Sequence, residues 1–215
     1  RDYMARRRKQ VSDGTIHLEL GYLRAALRHA VRSGLLAVAP PVTLPAKPRP
    51  RTRHLTPEEA RRLIDAARMP HVRLFILLAL HTAGRPSALL GLTWDRVDFH
   101  RRRINLDDPS RERTAKGRAM VPLAEQLLPP LLGAREAALS PYVIEWAGMQ
   151  VRSIKKAIRR AAERAGLDGV TPYVLRHTAA VWMAEAGIPM EEIAQYMGHT
   201  SPAVTFRTYA RYSPA

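Results

Sequence analysis

The sequence predicts a mainly helical chain that carries a small three-stranded antiparallel sheet, an α+β fold class. Two observations lead to this prediction. Apolar residues recur at three- and four-residue spacing behind capping residues over most of the chain, a pattern typical of amphipathic helices. Three short strand-like runs lie between residues 92 and 121. The 215 residues suffice for one full domain with a smaller part beside it.

The amino-terminal part predicts one helix followed by an extended linker. Ser12 and Asp13 offer caps for a helix to about residue 33, and Gly34 marks its predicted end. Its apolar positions include Ile16, Leu20, Leu23, Leu27 and Val31. Over 38–53, prolines alternate with basic residues and deny the stretch both helix and central strand. This linker could lie along an anionic partner, and its composition fits a solvated spacer equally well.

The carboxy-terminal part begins with a strong helix signal at Thr56, a capping residue followed by proline and then by Glu59. A helix to about residue 68 and an almost wholly apolar helix over 71–82 are predicted there. A hairpin over 92–106 and a third strand near 118–121 follow. The pattern then predicts helices over 124–139 (interrupted by Pro129 and Pro130), 149–165, 172–186, 189–197 and 202–212.

Charge and composition restrict the partners and the chemistry. The net charge of +16 and the pI near 11.2 favour a polyanion, because each phosphate contact releases condensed counterions. Arginines number 30 against 5 lysines, and arginine makes forked contacts to phosphate, although genomic composition also contributes to this excess. The lack of cysteine excludes disulfides, thiolate nucleophiles and cysteine zinc sites. No apolar run reaches bilayer length, and the chain starts without Met, so we expect it to be trimmed.

Four local clusters carry residues suited to phosphate chemistry. The first begins with Thr-Ala-Gly-Arg at 82–85 and runs to Trp94, and the second is a basic loop at 114–123. The third contains Tyr-Val-Leu-Arg-His at 173–177. The fourth is Met-Gly-His-Thr-Ser-Pro at 197–202, followed by Tyr209. In their order and spacing these clusters resemble the tyrosine recombinase family of the phage integrase type, over most of the chain.

The resemblance implies the integrase catalytic-domain fold and a recombinase that cuts and rejoins double-stranded DNA without metal, cofactor or ATP. Arg85 and Arg176 would grip the non-bridging oxygens of the reacting phosphate. Tyr209 would attack the phosphorus and form a 3′-phosphotyrosine, which conserves the bond energy for resealing. His199 would hydrogen-bond a phosphate oxygen. A hairpin lysine normally protonates the leaving 5′-oxygen; Lys116 is the candidate, with Arg113 as the alternative.

Two positions depart from the family pattern. Ala88 stands where a glutamate usually supports the first arginine, so another group must orient Arg85. Tyr173 stands where a histidine is expected, and a phenol with a reference pKa near 10 is a poor base at neutral pH. We therefore predict chemistry that is slowed and not lost. The group that accepts the proton of Tyr209 is unidentified from the sequence.

The resemblance also implies an organisation and a set of partners. Residues 1–37 correspond to the end of a helical core-binding domain, 38–53 to the linker and 54–215 to the catalytic domain. Residues predicted to contact DNA away from the reacting phosphate are Arg49, Arg51, Arg53, Arg118, Lys155, Arg159 and His177. We expect a tetramer on DNA for the full-length protein, a monomer for this chain alone, no membrane partner, and a cytoplasmic location in a bacterial or phage-encoded system.

Other interpretations stay open at this stage. Taken singly, each site residue has a structural reading; Tyr209, for example, could simply pack the last helix against the core. The chain could be a DNA-binding relative that has lost catalysis and acts as an occluding or architectural protein, which Ala88 and Tyr173 favour. The tight turn between the helices over 189–197 and 202–212 also suggests a helix-turn-helix regulator. The four clusters in family order favour the recombinase.

Overall fold

The computed structural model describes residues 2–47, 52–109 and 119–214. The chain divides into two compact units, Arg1–Thr52 and Arg53–Ala215, so the boundary falls near the end of the predicted linker. In these described ranges, no helix combines the length and the apolar character needed to cross a bilayer.

The first unit is built from two helices. Helix α1 spans Asp2–Arg7, in a stretch where the sequence predicts no helix, and α2 spans Asp13–Arg32 as predicted. Glu19 of α2 ties the two together, because its carboxylate accepts hydrogen bonds from Arg7 Nη2 (2.6 Å) and Tyr3 Oη (2.8 Å). The apolar stripe of α2 is buried at Ile16 and Leu20, whereas Leu23 is exposed. The predicted end of α2 is confirmed, since Gly34 adopts a φ of 72°.

The second unit is organised around a buried helix. Thr56 caps α3 (Pro57–Ala66) through a reciprocal pair: its Oγ1 accepts from the Glu59 backbone N, and the Glu59 carboxylate accepts from the Thr56 backbone N. Helix α4 (Pro70–Thr82) is apolar on nearly every side and packs against α8 (Pro172–Glu185). The long apolar run therefore forms the centre of the unit's core, as predicted.

The predicted three-stranded antiparallel sheet is present, with strand order β1-β2-β3. Strand β1 is Val97–Asp98, β2 is Arg103–Asn105 and β3 is Met120–Pro122. Ile104 lies opposite Val97 on one side and Val121 on the other, so the sheet turns one apolar row into the core. The first strand is shorter than predicted, because Trp94–Arg96 forms a 3₁₀ turn in place of extended chain.

A second, two-stranded sheet corrects the prediction of a helix over 149–165. Strands β4 (Glu145–Trp146) and β5 (Met149–Gln150) pair through a tight turn in which Ala147 and Gly148 have φ values of 49° and 76°. Two central residues with positive φ are the signature of a hairpin turn. Helix α7 therefore begins only at Lys155 and ends at Arg164.

The prolines at 129 and 130 open a helix, contrary to the prediction that they interrupt one. A 3₁₀ turn at Glu125–Leu127 leads into α6 (Leu128–Glu136), and both prolines lie in its first turn, where a backbone N–H has no intrahelical partner. Further helices frame the candidate site and are α5 (Pro86–Leu90), α9 (Met190–Met197) and α10 (Pro202–Tyr209), the last continued by a 3₁₀ turn at Ala210–Tyr212.

Candidate active site

The turn between α4 and α5 fixes the position of Arg85. The Thr82 hydroxyl donates to a carbonyl one helical turn earlier (2.6 Å) and accepts from the Gly84 backbone N (3.1 Å). Gly84 is tightly packed, since a Cβ at this position would lie 2.7 Å from Leu89 Cδ2. The chain therefore ends α4, turns sharply and presents Arg85 at the start of α5. This is the structural reason for the Thr-Ala-Gly-Arg sequence.

Two arginines converge on one short backbone segment. Both Nη atoms of Arg85 lie 3.3 Å from the carbonyl oxygen of Gly198. The Arg176 guanidinium donates from Nη2 to the carbonyl of Met197 (3.0 Å) and from Nη1 to the carbonyl of Ala83 (2.5 Å). Because Met197 and Gly198 are adjacent, the two guanidinium groups are brought side by side.

The contact to Gly198 helps to orient Arg85, although position 88 has no acidic side chain. Ala88 is buried in the core and brings no carboxylate to Arg85. Gly198 ends α9 in the left-handed conformation, with a φ of 63°, and its carbonyl receives both ends of the Arg85 fork. A main-chain oxygen thus helps to orient Arg85, the role that a glutamate at position 88 was expected to have.

Arg176 carries an unusually costly charge. Its side chain is buried, with 7% of the residue exposed. Burial, and then the neighbouring charge of Arg85, lower the pKa of Arg176 from its ordinary value to about 10. Arg176 still bears its full charge at neutral pH. An anion placed between the two guanidinium groups would offset both the burial and the repulsion.

His199 is attached to the same cluster in a defined tautomer. Its Nε2 lies 3.2 Å from Arg176 Nη2, which can only donate, so Nε2 is the acceptor. The proton is then on Nδ1 and is donated to Thr205 Oγ1 at 2.8 Å. Burial, Arg176 and Arg85 together lower the pKa of His199 to about 4, which keeps the imidazole neutral.

Tyr209 ends α10 and is buried, with 6% of the residue exposed. Its hydroxyl oxygen lies 3.2 Å from Nδ1 of His177, and the two rings are 5.2 Å apart between centroids. Burial raises the pKa of Tyr209, Arg176 opposes this by favouring the phenolate, and Tyr212 adds to the rise. A phenol is therefore held next to an imidazole and within the field of a buried arginine.

Two arginines, a neutral histidine and a tyrosine lie together in the second unit. The profile of the phage integrase family matches residues 53–215. The chain belongs to the phage integrase family.

Individual relatives agree with this family. The integrase of Salmonella phage P22 is 29% identical over 223 residues, covering 96% of this chain and 56% of the relative. The tyrosine recombinase XerC of Corynebacterium efficiens is 31% identical over 134 residues, covering 60% of this chain and 43% of the relative. This integrase-family chain thus spans about half the length of these curated relatives. The Tn1549 transposon integrase in complex with transposon right end DNA has the same fold, with a TM-score of 0.83 and 20% identity over 97% of this chain and 79% of that one.

Other residues singled out in the integrase-family sequence lie in varied surroundings. Tyr173 is in the first turn of α8 and is exposed (63%). Lys155 and Arg159 are exposed on α7, where Arg159 pairs with Glu163 at 3.5 Å. They are available for contacts to a polyanion.

Arg53 and His177 are predicted DNA contacts, but the side chains of both make hydrogen bonds within the second unit. The Arg53 guanidinium forms a two-pronged pair with Glu59 (2.8 and 2.9 Å) and donates to the carbonyls of His54 and Asp168. His177 is half-buried against Tyr209. The candidates Arg49, Arg51, Arg113, Lys116 and Arg118 lie outside the described residues.

Three features of the site were not predicted from the sequence: the Gly198 carbonyl, the Thr205 hydroxyl and the position of His177 beside Tyr209. A main-chain oxygen has no sequence signature. Thr205 lies six residues after His199, and the capping signal at Ser201 and Pro202 could have placed it on the facing helix turn. The proximity of His177 to Tyr209 depends on how α10 packs on α8, which no local pattern encodes.

Proposed function

We propose that this chain is the catalytic portion of a site-specific DNA recombinase that breaks and rejoins DNA strands through a 3′-phosphotyrosine at Tyr209. One observation carries the proposal: Arg176 and Arg85 are oriented side by side by consecutive carbonyls, and Arg176 keeps its charge although it is buried. A phosphodiester placed there would receive two forked donors, and developing charge on its oxygens would be stabilised without reorganisation of the site.

The reaction follows from these groups. The Tyr209 oxygen forms a bond to phosphorus and loses its proton, the bond from phosphorus to the 5′-oxygen breaks, and that oxygen leaves as a hydroxyl after taking up a proton. Lys116, with Arg113 as the alternative, is proposed as the donor of that proton. Attack by a 5′-hydroxyl on the phosphotyrosine reverses these steps and reseals a strand without ATP. Once phosphate replaces its present contact to Arg176, His199 is proposed to donate from Nε2 to a phosphate oxygen; its hydrogen then moves from Nδ1 to Nε2, and the Thr205 hydroxyl donates to Nδ1.

The rest of the duplex is proposed to lie on basic residues around the site. Lys155 and Arg159 on α7 are exposed and suit phosphate contacts, which position the duplex without reading its sequence. Arg49, Arg51 and Arg118 retain this role from the resemblance. Arg53 and His177 are less suited to it, because their side chains are engaged within the unit.

A covalent-capture experiment tests the proposal. A pool of nicked duplexes with randomised sequence is incubated with the chain, so that cleavage near the nick releases a short oligonucleotide and traps the adduct. We expect protein–DNA adducts that survive SDS, and complete loss of them in Tyr209→Phe. Tyr196→Phe is the matched control: Tyr196 is also a helical tyrosine packed in this unit, partly buried, but it donates to the His81 carbonyl (2.7 Å), so this variant should still form adducts. An adduct that persists in Tyr209→Phe contradicts the assignment of the nucleophile.

Ala88 and Tyr173 favour a second candidate, a relative that binds DNA and occludes or shapes it without cutting. Neither residue supplies the carboxylate or imidazole that the family pattern has there. The same pool separates the two functions: retention of specific duplexes without any SDS-stable adduct would support the binding protein and overturn the recombinase.

The organisation of the full protein is part of the proposal. Residues 1–37 are proposed to end a core-binding domain, 38–53 to form the linker and 54–215 to form the catalytic domain of a cytoplasmic, bacterial or phage-encoded recombinase. The full-length protein is proposed to act as a tetramer on DNA, and this chain alone to be a monomer. Light scattering coupled to size exclusion checks the last point, and a stable dimer would contradict it.

A further inference from the structure

His177 occupies a position next to the reacting oxygen of Tyr209. It lies on α8 directly after Arg176, and its Nδ1 is 3.2 Å from the Tyr209 hydroxyl oxygen. The two rings are inclined by 38° with centroids 5.2 Å apart, a tilted arrangement. Among the described residues, this is the hydrogen bond that the Tyr209 hydroxyl makes.

The other ring nitrogen of His177, Nε2, is buried and makes no hydrogen bond in the described part of the chain. The Tyr209 hydroxyl can donate to Nδ1 in the tautomer that carries its ring hydrogen on Nε2. A buried N–H without a partner is uncommon in proteins. The contact at Nδ1 is thus the hydrogen bond that orients the His177 ring.

The surroundings of His177 favour the neutral ring. His54, from the segment before α3, lies 6.3 Å away between ring centroids, and Tyr212 of the last 3₁₀ turn is equally distant. Burial, then His54, then Arg211 lower the pKa of His177. The imidazole is consequently in its proton-accepting form at neutral pH.

We propose that His177 is the general base that takes the proton from Tyr209 during strand cleavage. The inference rests on the proposed function. As the Tyr209 oxygen bonds to phosphorus, its O–H bond breaks and the proton moves to Nδ1, which leaves a phosphotyrosine and an imidazolium. The leaving 5′-oxygen takes its proton from a different group. His177 thus fills the role for which Tyr173 is poorly suited.

The same proton serves the rejoining step. When a 5′-hydroxyl attacks the phosphotyrosine, Tyr209 is the leaving group, and the imidazolium of His177 returns the proton to its oxygen. Cleavage and rejoining therefore depend equally on His177, because one is the microscopic reverse of the other. A general base therefore gives the rates of cleavage and rejoining the same pH dependence, whereas a residue that only positioned Tyr209 would not.

The test measures single-turnover cleavage of a duplex recovered from the covalent-capture pool, between pH 6 and pH 9. His177→Asn is the informative variant, because its amide oxygen can accept the Tyr209 hydrogen bond in place of Nδ1 but cannot hold the proton. We expect about a 100-fold slower cleavage at pH 7, a typical contribution of general base catalysis. The ratio of native to variant rates should shrink as pH rises, because hydroxide replaces the missing base. His71→Gln is the control: His71 is also half-buried with a lowered pKa but packs against Trp146, and its rate should match the native one.

Several results would overturn the inference while leaving the proposed function intact. Equal cleavage rates for native and His177→Asn, or a faster variant, would mean that the contact between His177 and Tyr209 has no part in the reaction. A slower variant whose rate ratio does not change with pH would mean a positioning role. Failure of the native chain to form any adduct would instead count against the recombinase itself. If His177→Asn does not fold, ¹⁵N NMR of the native chain and of Tyr209→Phe decides: loss of the Tyr209 hydroxyl must shift Nδ1 of His177, and an Nδ1 that carries hydrogen in the native chain contradicts the proposal.

Discussion

The two sides of the candidate site are held by different kinds of contact. The residues proposed to bind phosphate form what we call the phosphate side, where Arg85 and Arg176 donate to main-chain carbonyls at the ends of α4 and α9. On the nucleophile side, Tyr209 meets the side chain of His177, inside a cluster of aromatic rings. The first side is set by where helices end, whereas the second is set by which side chains occupy the facing helices.

The two kinds of contact differ in how easily a substitution removes them. Carbonyl oxygens are present whatever the residue, so the arginine pair has its main-chain partners with alanine at position 88. An imidazole at position 177 is a single side chain, and one substitution removes it. We infer that the phosphate side tolerates sequence change around it, and that the rate of the reaction is tuned on the nucleophile side.

Arg176→Lys breaks the phosphate side and has the largest expected effect of the three changes considered next. Lysine keeps the charge but lacks the fork that reaches Ala83, Met197 and a phosphate together. Removal of one preorganised donor commonly costs about 10²–10³ in rate, and we expect a loss near the upper value. Single-turnover cleavage measures it. Arg164→Lys is the matched control, because Arg164 also donates twice to a carbonyl, that of Ala66, at 2.9 and 2.8 Å on the surface. A rate within a few-fold of native in Arg176→Lys would contradict the assigned role.

Tyr173→His sharpens the nucleophile side and has an intermediate effect. Position 173 is exposed in the first turn of α8, one helical turn before Arg176. An imidazole with a reference pKa near 6.5 accepts protons at neutral pH far better than a phenol, so we expect about a ten-fold faster cleavage. The gain should be larger in the His177→Asn background, where no base competes, and a double-mutant cycle measures the difference. No gain in either background would show that position 173 does not serve the reacting phosphate.

The fold was largely predictable because its signals are local. The capping pair at Thr56 and Glu59, the apolar run of α4 and the three strands around Ile104 each follow from short-range patterns, and the structure confirms them. The errors also have local causes. A helix was predicted to start at residue 149 because the hairpin turn at Ala147 and Gly148 lacks the usual Asn-Gly or Asp-Gly pair.

The site was predictable in its residue types and not in its contacts. The family resemblance singles out Arg85, Arg176, His199 and Tyr209. The structure brings Arg85 and Arg176 onto the carbonyls of Gly198 and Met197, and Arg176 against His199. The resemblance could not indicate that Gly198 would stand in for a missing carboxylate. It also could not place His177 beside Tyr209, because the two are separated by 32 positions and meet only when α10 packs on α8.

Protonation of His199 gives the smallest expected effect, a change in the free energy of unfolding. It tests whether the phosphate side is electrostatically independent of the nucleophile side. The folded-state pKa of His199, about 4, lies below the ordinary 6.5, so neutral His199 stabilises the fold above pH 6.5, and this contribution is lost as pH falls towards 4. Urea unfolding at pH 7 and pH 5 measures the loss. We expect native protein to lose about 1 kcal/mol more than His199→Asn, after allowance for solvent screening. Asparagine retains a donor for Thr205, and acid-sensitive His177, His71 and His81 are present in both proteins and cancel. The difference should persist in a Tyr209→Phe background; if it vanishes there, the two sides are coupled through Arg176 and cannot be tuned separately.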